Sequence, residues 1–466
     1  MGQKELVIIG GGPAGYTAAI RAAQLGGRVT LIEKYILGGT CINRGCIPTK
    51  CLLHAANLHH QIKRANLFGV SMGSPTFDFS AVTKRKQKVV KQLVDDVEFL
   101  MRKNKVTVIS GIGTIVGNKR VKVVNKDGEK VIQGDGIIVA TGSESAAIAI
   151  KGITEKSVLN SDQALALEQP PESMAVIGAG VVGLELAQIF HRMNTKVTVI
   201  EIMPQILPGE DAEVAQILGE MLKTDGISIL TEAEVKMVKS DESGRKVVSF
   251  NIKDVEKQVI VDKILVAVGR RPVVEGLGLE KVGVALNDGK IVVNRNMETN
   301  VKDIYAIGDV VGGHMLAHVA MAEGGCAAQN AMGARTEMDY RAIPRCIYTD
   351  PEVAAVGLTE TQARERYKNV MIGQFTFRAN GKALILDETE GMVKLIADAR
   401  YGQLLGVEIL GPHATELIAE AVLGIQMEAT ANDLASAIHA HPTLSETVMG
   451  AALDFTGGAL RFSSHS

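Results

Sequence analysis

The chain has 466 residues, too many for one hydrophobic core, which predicts two to four domains. Its 50 Lys and Arg nearly balance 52 Asp and Glu, and a formal net charge of −2 gives no reason to expect a nucleic-acid or anionic-membrane surface. Five cysteines are too few for a disulfide scaffold, the N-terminus lacks a secretory pattern, and no run of 18 apolar residues occurs, so the expectation is a cytoplasmic protein without membrane spans.

The first element is "LVIIGGGPAGYTAAIRAAQLGGRVTLIE" (6–33): a β-branched run, G-x-G-x-x-G, a stretch of helical period and a second run ending in Glu. In a dinucleotide-binding βαβ unit the first glycine, Gly10, permits the tight turn. Gly12 lets backbone approach a pyrophosphate, and Gly15 lets helix pack on strand. The phosphates then sit at the helix N-terminus, and Glu33 accepts from ribose hydroxyls. A lone G-x-G-x-x-G is weak evidence, but the motif returns in context at "MAVIGAGVVGLELAQIFHRMNTKVTVIE" (174–201). Gly178, Gly180, Gly183 and Glu201 repeat the pattern at the same 23-residue spacing from first glycine to acid. Two dinucleotides are expected. A carboxylate at 201, followed by Ile202, Met203 and Pro204 rather than arginine, predicts NAD over NADP at the second site.

Between the fingerprints lies "LGGTCINRGCIPTK" (37–50), with Cys41 and Cys46 in C-x4-C spacing. As zinc ligands they lack a second close Cys or His pair, and as a structural disulfide they close too small a loop for much entropic benefit. A redox pair is the favoured reading. Regular helix geometry would turn the two side chains about 140° apart, so bridging needs a bend. The stretch that follows reads as a helix whose start lowers the pKa of a nearby thiol. Cys51, Cys326 and Cys346 read as small buried hydrophobes.

Further along, "GDGIIVATGS" (134–143) and "VDKILVAVGRRP" (261–272) are β-runs ending in glycine turns, where chain could cross between domains. "RKVVSFNI" (245–252) and "KIVVNRNMETN" (290–300) have strand patterns. In "DIYAIGDVVGG" (303–313), Asp309 stands at a strand end, able to bind a ribityl hydroxyl of a flavin or to cap a helix. From about 344 the texture changes. "MVKLIADARYGQLLGVEILGP" (392–412) alternates like antiparallel strands and "ATELIAEAVLGIQMEA" (414–429) has helical period, which predicts a separate α+β domain.

Paired fingerprints, "GGTCINRGCIPTK", "AIGD" and "HAHPTLSE" (439–446) together resemble the pyridine nucleotide–disulfide oxidoreductase family, and most closely its branch that oxidises dihydrolipoamide. The resemblance covers residues 5 to about 462. It implies an α/β fold with two Rossmann-like domains and a C-terminal α+β dimerisation domain: FAD-binding at 1–147, returning at 269–342, NAD-binding at 148–268 and interface at 343–466. It implies non-covalent FAD, one per subunit, and NAD+/NADH as co-substrate. FAD contacts carried over are Gly10, Gly12, Pro13, Ala14, Gly15, Glu33, Lys34, Gly39, Thr40, Cys41, Lys50, Gly113, Thr141, Gly142, Ser143, Asp309, Met315, Leu316, Ala317 and His318. NAD contacts are Gly178, Gly180, Val181, Val182, Gly183, Glu201, Val235, Gly269 and Arg270.

The family pattern also assigns roles. Cys46 lies against the flavin, Cys41 faces the dithiol substrate, and Lys50 pairs with Glu185 near the nicotinamide. His441, oriented by Glu446, is the base, placed across a homodimer from Cys41; dithiol oxidation releases protons, and histidine is poised to take them near neutral pH. No metal is implied. Partners would be the lipoyl domains of 2-oxo acid dehydrogenase or glycine cleavage complexes. Within the family an NADPH-dependent, glutathione reductase-like enzyme is the alternative, disfavoured by Glu201; a flavin-bearing interaction protein without turnover is the alternative from another class. The segment 144–153 lacks the prolines usual in relatives, which suggests a softer domain connection.

Overall fold

In the computed structural model, residues 3–458 are described, except 72, 74, 75, 118 and 154–156. The two fingerprints seed two five-stranded parallel sheets. The first has strand order Ile304–Ala306, Gly136–Val139, Glu5–Ile9, Arg28–Glu33 and Thr107–Ser110. The second has Ser228–Leu230, Lys196–Ile200, Ser173–Ile177, Lys263–Val266 and Val158–Leu159. Parallel strands buried on both faces read as continuous apolar runs, as both fingerprints do.

The repeat extends well beyond the motifs. After the third sheet strand counted from the fingerprint strand, each unit inserts a three-stranded antiparallel ribbon: Ile112–Gly117, Arg120–Asn125 and Gly128–Gln133 in the first, Ala233–Ser240, Lys246–Ile252 and Val255–Val261 in the second. Each ribbon then returns to a strand beside the fingerprint strand. The chain passes between the units twice, and the passages pair as a short antiparallel ladder, Ser143–Ser145 with Arg270–Pro272.

The last unit is a five-stranded antiparallel sheet ordered Arg345–Ile347, Glu352–Gly357, Leu404–Gly411, Met392–Asp398, Val370–Thr376. Helices Ala414–Gln426 and Glu446–Phe455 pack on it. Residues 392–412 form the expected antiparallel strands, and all eight positions of Leu404–Gly411 are buried, because helices cover one face and the second dinucleotide unit the other. One strand expectation needs correcting. In 290–300 only Lys290–Ile291 is strand. The Asn294 carboxamide accepts from the N–H groups of Asn296 (2.9 Å) and Glu298 (3.0 Å), and Met297 takes φ +64°, folding the rest into a turn. Among the described residues no helix is long and apolar enough to cross a membrane.

Candidate functional site

Local sequence builds the two glycine turns almost identically. Gly10 and Gly178 have φ of +109° and +103°, and a Cβ at either would enter a neighbouring backbone carbonyl. A Cβ on Gly15 would lie 1.9 Å from the Gly10 oxygen, and one on Gly183 2.1 Å from the Gly178 oxygen. Gly12 and Gly180 begin the helices Pro13–Gln24 and Val181–Arg192 with free N–H groups facing outward. The two acids are buried and brace their own loops. Glu33 accepts from the N–H groups of Gly11 and Tyr35, both at 2.7 Å. Glu201 accepts from Ala179 at 2.6 Å and Met203 at 2.8 Å. Each oxygen keeps a lone pair, so the acids brace their own loops with acceptor capacity to spare.

Gly10, Gly12, Pro13, Ala14, Glu33, Lys34, Gly39, Thr40, Gly113, Thr141, Gly142, Ser143, Arg270, Asp309 and Met315 to His318 all border one cavity of about 1400 Å³. That exceeds the usual volume of a drug-sized ligand site and suits an extended dinucleotide. Cys41, Cys46, Lys50, Glu185, Val181 and Val182 border the same cavity. Gly15 does not; it packs helix on strand. Gly178, Gly180, Gly183, Glu201, Val235 and Gly269 lie outside the cavity in the second unit, with Gly178 packed against Ala267 and the Glu201 carbonyl accepting from Ala233.

The cysteine segment supplies the expected bend. Gly39–Arg44 is a short helix, Gly45 breaks it, and Cys46 opens the helix Cys46–Lys63. Only glycine fits at 45, since a Cβ would meet the Thr40 carbonyl at 2.9 Å. Cys41 and Cys46 are free thiols sharing a hydrogen bond. That bond from Cys41 pulls the Cys46 pKa down to about 7; burial opposes it and the Lys50 ammonium assists it. As the donor of that bond Cys41 is pushed up, first by Cys46 and then by burial. The two thiols are therefore unequal.

Lys50, one turn into that helix, donates to Glu185 at 2.7 Å, and Glu185 is 2 % exposed on the second fingerprint helix. One ion pair thus joins the cysteine helix to the second dinucleotide unit. His441 and Glu446 form a pair at 2.9 Å, with Thr443 N–H donating to Glu446 at 2.8 Å. They do not border the cavity of their own chain, and the His441 side chain is 79 % exposed. His318 borders the cavity and its Nε2 contacts the Pro344 carbonyl at 2.9 Å.

Sequence reading passed over three supports. Arg270 donates to Ser143 Oγ at 2.7 Å, and that hydroxyl donates to Asp309, so the two passages between units also orient the cavity carboxylate. Glu323 accepts from Gly308 N–H at 2.7 Å and fixes the turn before Asp309. Tyr348 N–H donates to Glu185 at 3.0 Å. Each joins segments 15 to 166 residues apart, and of the three only the short-range Glu323 contact could have been guessed from spacing.

Residues 4–324 match the family described as pyridine nucleotide-disulphide oxidoreductase, and residues 343–452 match its dimerisation domain. A dihydrolipoyl dehydrogenase of Bacillus subtilis is 42 % identical, covering 98 % of this chain and 99 % of its own. One from Thermus scotoductus is 45 % identical over 96 % of both. Among solved structures, LpdA of Mycobacterium tuberculosis superposes with TM-score 0.89 at 28 % identity, over 96 % of this chain and 99 % of its own. The HOCl-induced flavoprotein disulfide reductase RclA of Escherichia coli gives 0.87 at 30 %, over 97 % and 99 %. With the cysteine pair, the doubled fingerprint and matches to both domains in hand, the chain belongs to the pyridine nucleotide–disulphide oxidoreductase family.

Proposed function

We propose that the chain oxidises protein-bound dihydrolipoamide to lipoamide and reduces NAD+, using FAD as its resident cofactor. The observation that carries this reading is the meeting of three parts at one cavity: the thiols Cys41 and Cys46, the first glycine turn, and the Lys50–Glu185 pair leading to the second. The cavity fits FAD. Gly12 leaves room at a helix N-terminus for phosphates, Glu33 stands at the ribose position, and Asp309 keeps an oxygen free of its Ser143 bond for a hydroxyl. When bound, FAD supplies a two-electron carrier between thiols and nicotinamide.

The chain's own residues then do the following. His441, its imidazole oriented by Glu446, takes a proton from the substrate dithiol. The substrate thiolate attacks Cys41 of the oxidised pair, and the Cys41–Cys46 bond breaks. Cys46 is the better leaving group because its pKa is the lower, and Lys50 stabilises the thiolate it becomes. Attack by the second substrate thiol on the mixed disulfide releases lipoamide, its proton passing to the Cys41 sulfur; two electrons now rest on the cysteine pair, one proton on Cys41 and one on His441. His441 lies outside its own chain's cavity, so a second copy must bring it to Cys41, which supports a homodimer built on the matched dimerisation domain. Lipoyl domains of 2-oxo acid dehydrogenase or glycine cleavage complexes would deliver the substrate, in the cytoplasm.

Steady-state rates with dihydrolipoamide against reduced glutathione, and with NAD+ against NADP+, test this. Turnover confined to dihydrolipoamide with NAD+ is expected; NADPH-dependent reduction of oxidised glutathione would replace the reading.

A further inference from the structure

The Lys50–Glu185 pair has a third partner that comes from the dimerisation domain. Tyr348, between the strands Arg345–Ile347 and Glu352–Gly357, touches both members. Its N–H donates to Glu185 Oε1 at 3.0 Å while Glu185 Oε2 accepts from Lys50 Nζ at 2.7 Å. Its ring presents a face to the ammonium, with Lys50 Nζ 4.4 Å from the centroid. A cation over a half-buried aromatic face is attracted by the ring quadrupole, more strongly as water is removed. Burial is the first cause pushing the Tyr348 phenol up to about 12, so the face stays neutral. The same ring, Lys50 and Cys46 border the cavity.

Tyr348 cannot swing away easily. Two residues on, the Gln188 carboxamide makes a reciprocal pair with the Asp350 backbone, both bonds at 2.8 Å, and Arg192 reaches the Asp350 carboxylate at 2.6 Å. Thr349 between them is fully buried. The second fingerprint helix thus grips 348–350 with residues 185, 188 and 192, one face of a helix. A lysine side chain has four rotatable stem bonds and costs entropy to hold still. Here one carboxylate and one ring face hold it, and its remaining donors are left for the cavity side where Cys46 lies.

We propose that Tyr348 is a positioning residue for Lys50: its ring face and main-chain N–H together fix the ammonium beside Cys46, so the dimerisation domain sets the acidity of that thiol. This rests on the reading of Cys46 as the thiol next to the flavin. The test uses FAD-loaded, unreduced enzyme in a Cys41→Ser background and measures the long-wavelength absorbance of the Cys46 thiolate beside the flavin against pH. The variants are Tyr348→Phe, which keeps the ring face, and Tyr348→Met and Tyr348→Leu, which remove it; either of the last two suffices if the other fails to retain FAD. With Tyr348 or with Tyr348→Phe in that background the midpoint for Cys46 should coincide. In Tyr348→Met or Tyr348→Leu it should rise by roughly half a pH unit or more, as a displaced cation stabilises the thiolate less. In a Lys50→Gln background the same substitution should move nothing further. Unmoved midpoints in folded Met or Leu variants, a Phe variant shifted as far as they are, or a full shift persisting without Lys50 would each overturn the assignment. Absence of the band from Cys41→Ser with Tyr348 intact would instead overturn the reading beneath it.

Discussion

The two dinucleotide turns have nearly the same backbone and opposite surroundings. Gly12 and Gly180 share φ −75° and differ by 4° in ψ. Over Gly12 lies the cysteine segment: Gly39, at φ +57°, is so close that a Cβ on it would stand 2.7 Å from the Gly12 Cα. Over Gly180 lies nothing within 4 Å of an added Cβ, and Val181, Val182, Ile202 and Met203 around it are 39–62 % exposed. A turn under a cover suits a cofactor that stays, and an open turn suits a nucleotide that arrives and leaves with each turnover. The cover also carries Cys41 and Cys46, so on the proposed roles what would retain the first nucleotide is what would exchange electrons with it.

The contacts the two fingerprint units make with later parts of the chain also differ. Helix Pro13–Gln24 packs against Ala317–Ala331 through small residues, with a Cβ on Gly324 lying 2.6 Å from the Ala14 carbonyl. The second unit meets the last sheet through charges: Lys394, 2 % exposed, pairs with Asp211, Glu213 and Glu360, and Arg345 pairs with Glu210. Glu408, directly across the strand pair from Lys394, has both oxygens buried with no hydrogen-bond partner among the described residues.

The largest effect should come from closing the covered turn. Gly39→Val should abolish FAD retention through gel filtration, whereas Gly180→Ala should fold, keep FAD and show its defect as a raised KM for NAD+. Equal loss of FAD in both would erase the distinction between them. His441→Ala should lower dihydrolipoamide oxidation about 10²–10⁴-fold without loss of FAD, the usual contribution of a general base. Mixing inactive His441→Ala and Cys41→Ser chains, then refolding, should restore about one quarter of wild-type activity, because about half of randomly paired dimers carry one intact site of two. No recovery despite subunit exchange would place the base and thiol within one chain.

A smaller effect separates the two acids. Glu201→Ala should weaken NAD+ by about 1–2 kcal/mol, the scale of a hydrogen bond to a charged group, and narrow the preference over NADP+. Glu33→Ala should leave the coenzyme preference alone and speed FAD release. The smallest concerns the charged joint. Burial first, then the Asp211 and Glu210 carboxylates, push Glu408 up to about 8 from an ordinary 4.5. Between those values the folded state holds a proton that the unfolded state has lost, so stability falls as pH rises from 4.5 to 8 and this group adds no further loss above. Glu408→Gln should flatten that slope and raise stability at pH 8 by on the order of 2 kcal/mol in urea titrations. Superimposable profiles would mean Glu408 does not titrate in this window.

What could be read from the sequence was local. Gly10, Gly12, Gly15 and their counterparts are dictated by φ and by Cβ clearance within one turn, and the acid lies at a fixed spacing, so both units announce themselves. Cys41 and Cys46 are likewise local, and the bend they need is visible as Gly45. The apolar run at 290–300 misled because Asn294 competes for the backbone a strand would use. The strands at 392–412 were legible, but not that a second unit covers their outer face. Tyr348, the Arg270–Ser143–Asp309 relay and the Glu408 joint were invisible, since each depends on segments over a hundred residues apart in the chain meeting in space.

The direct test of the two-thiol relay is the visible spectrum of Cys41→Ser and Cys46→Ser, each purified with FAD and given no reductant. A Cys46 thiolate beside oxidised flavin should give Cys41→Ser a long-wavelength absorbance near neutral pH, and Cys46→Ser should lack it. Both should lose dihydrolipoamide turnover yet retain slow NADH oxidation with artificial acceptors. A band in Cys46→Ser alone would exchange the roles of the two thiols, and dihydrolipoamide turnover surviving in either variant would contradict the relay itself.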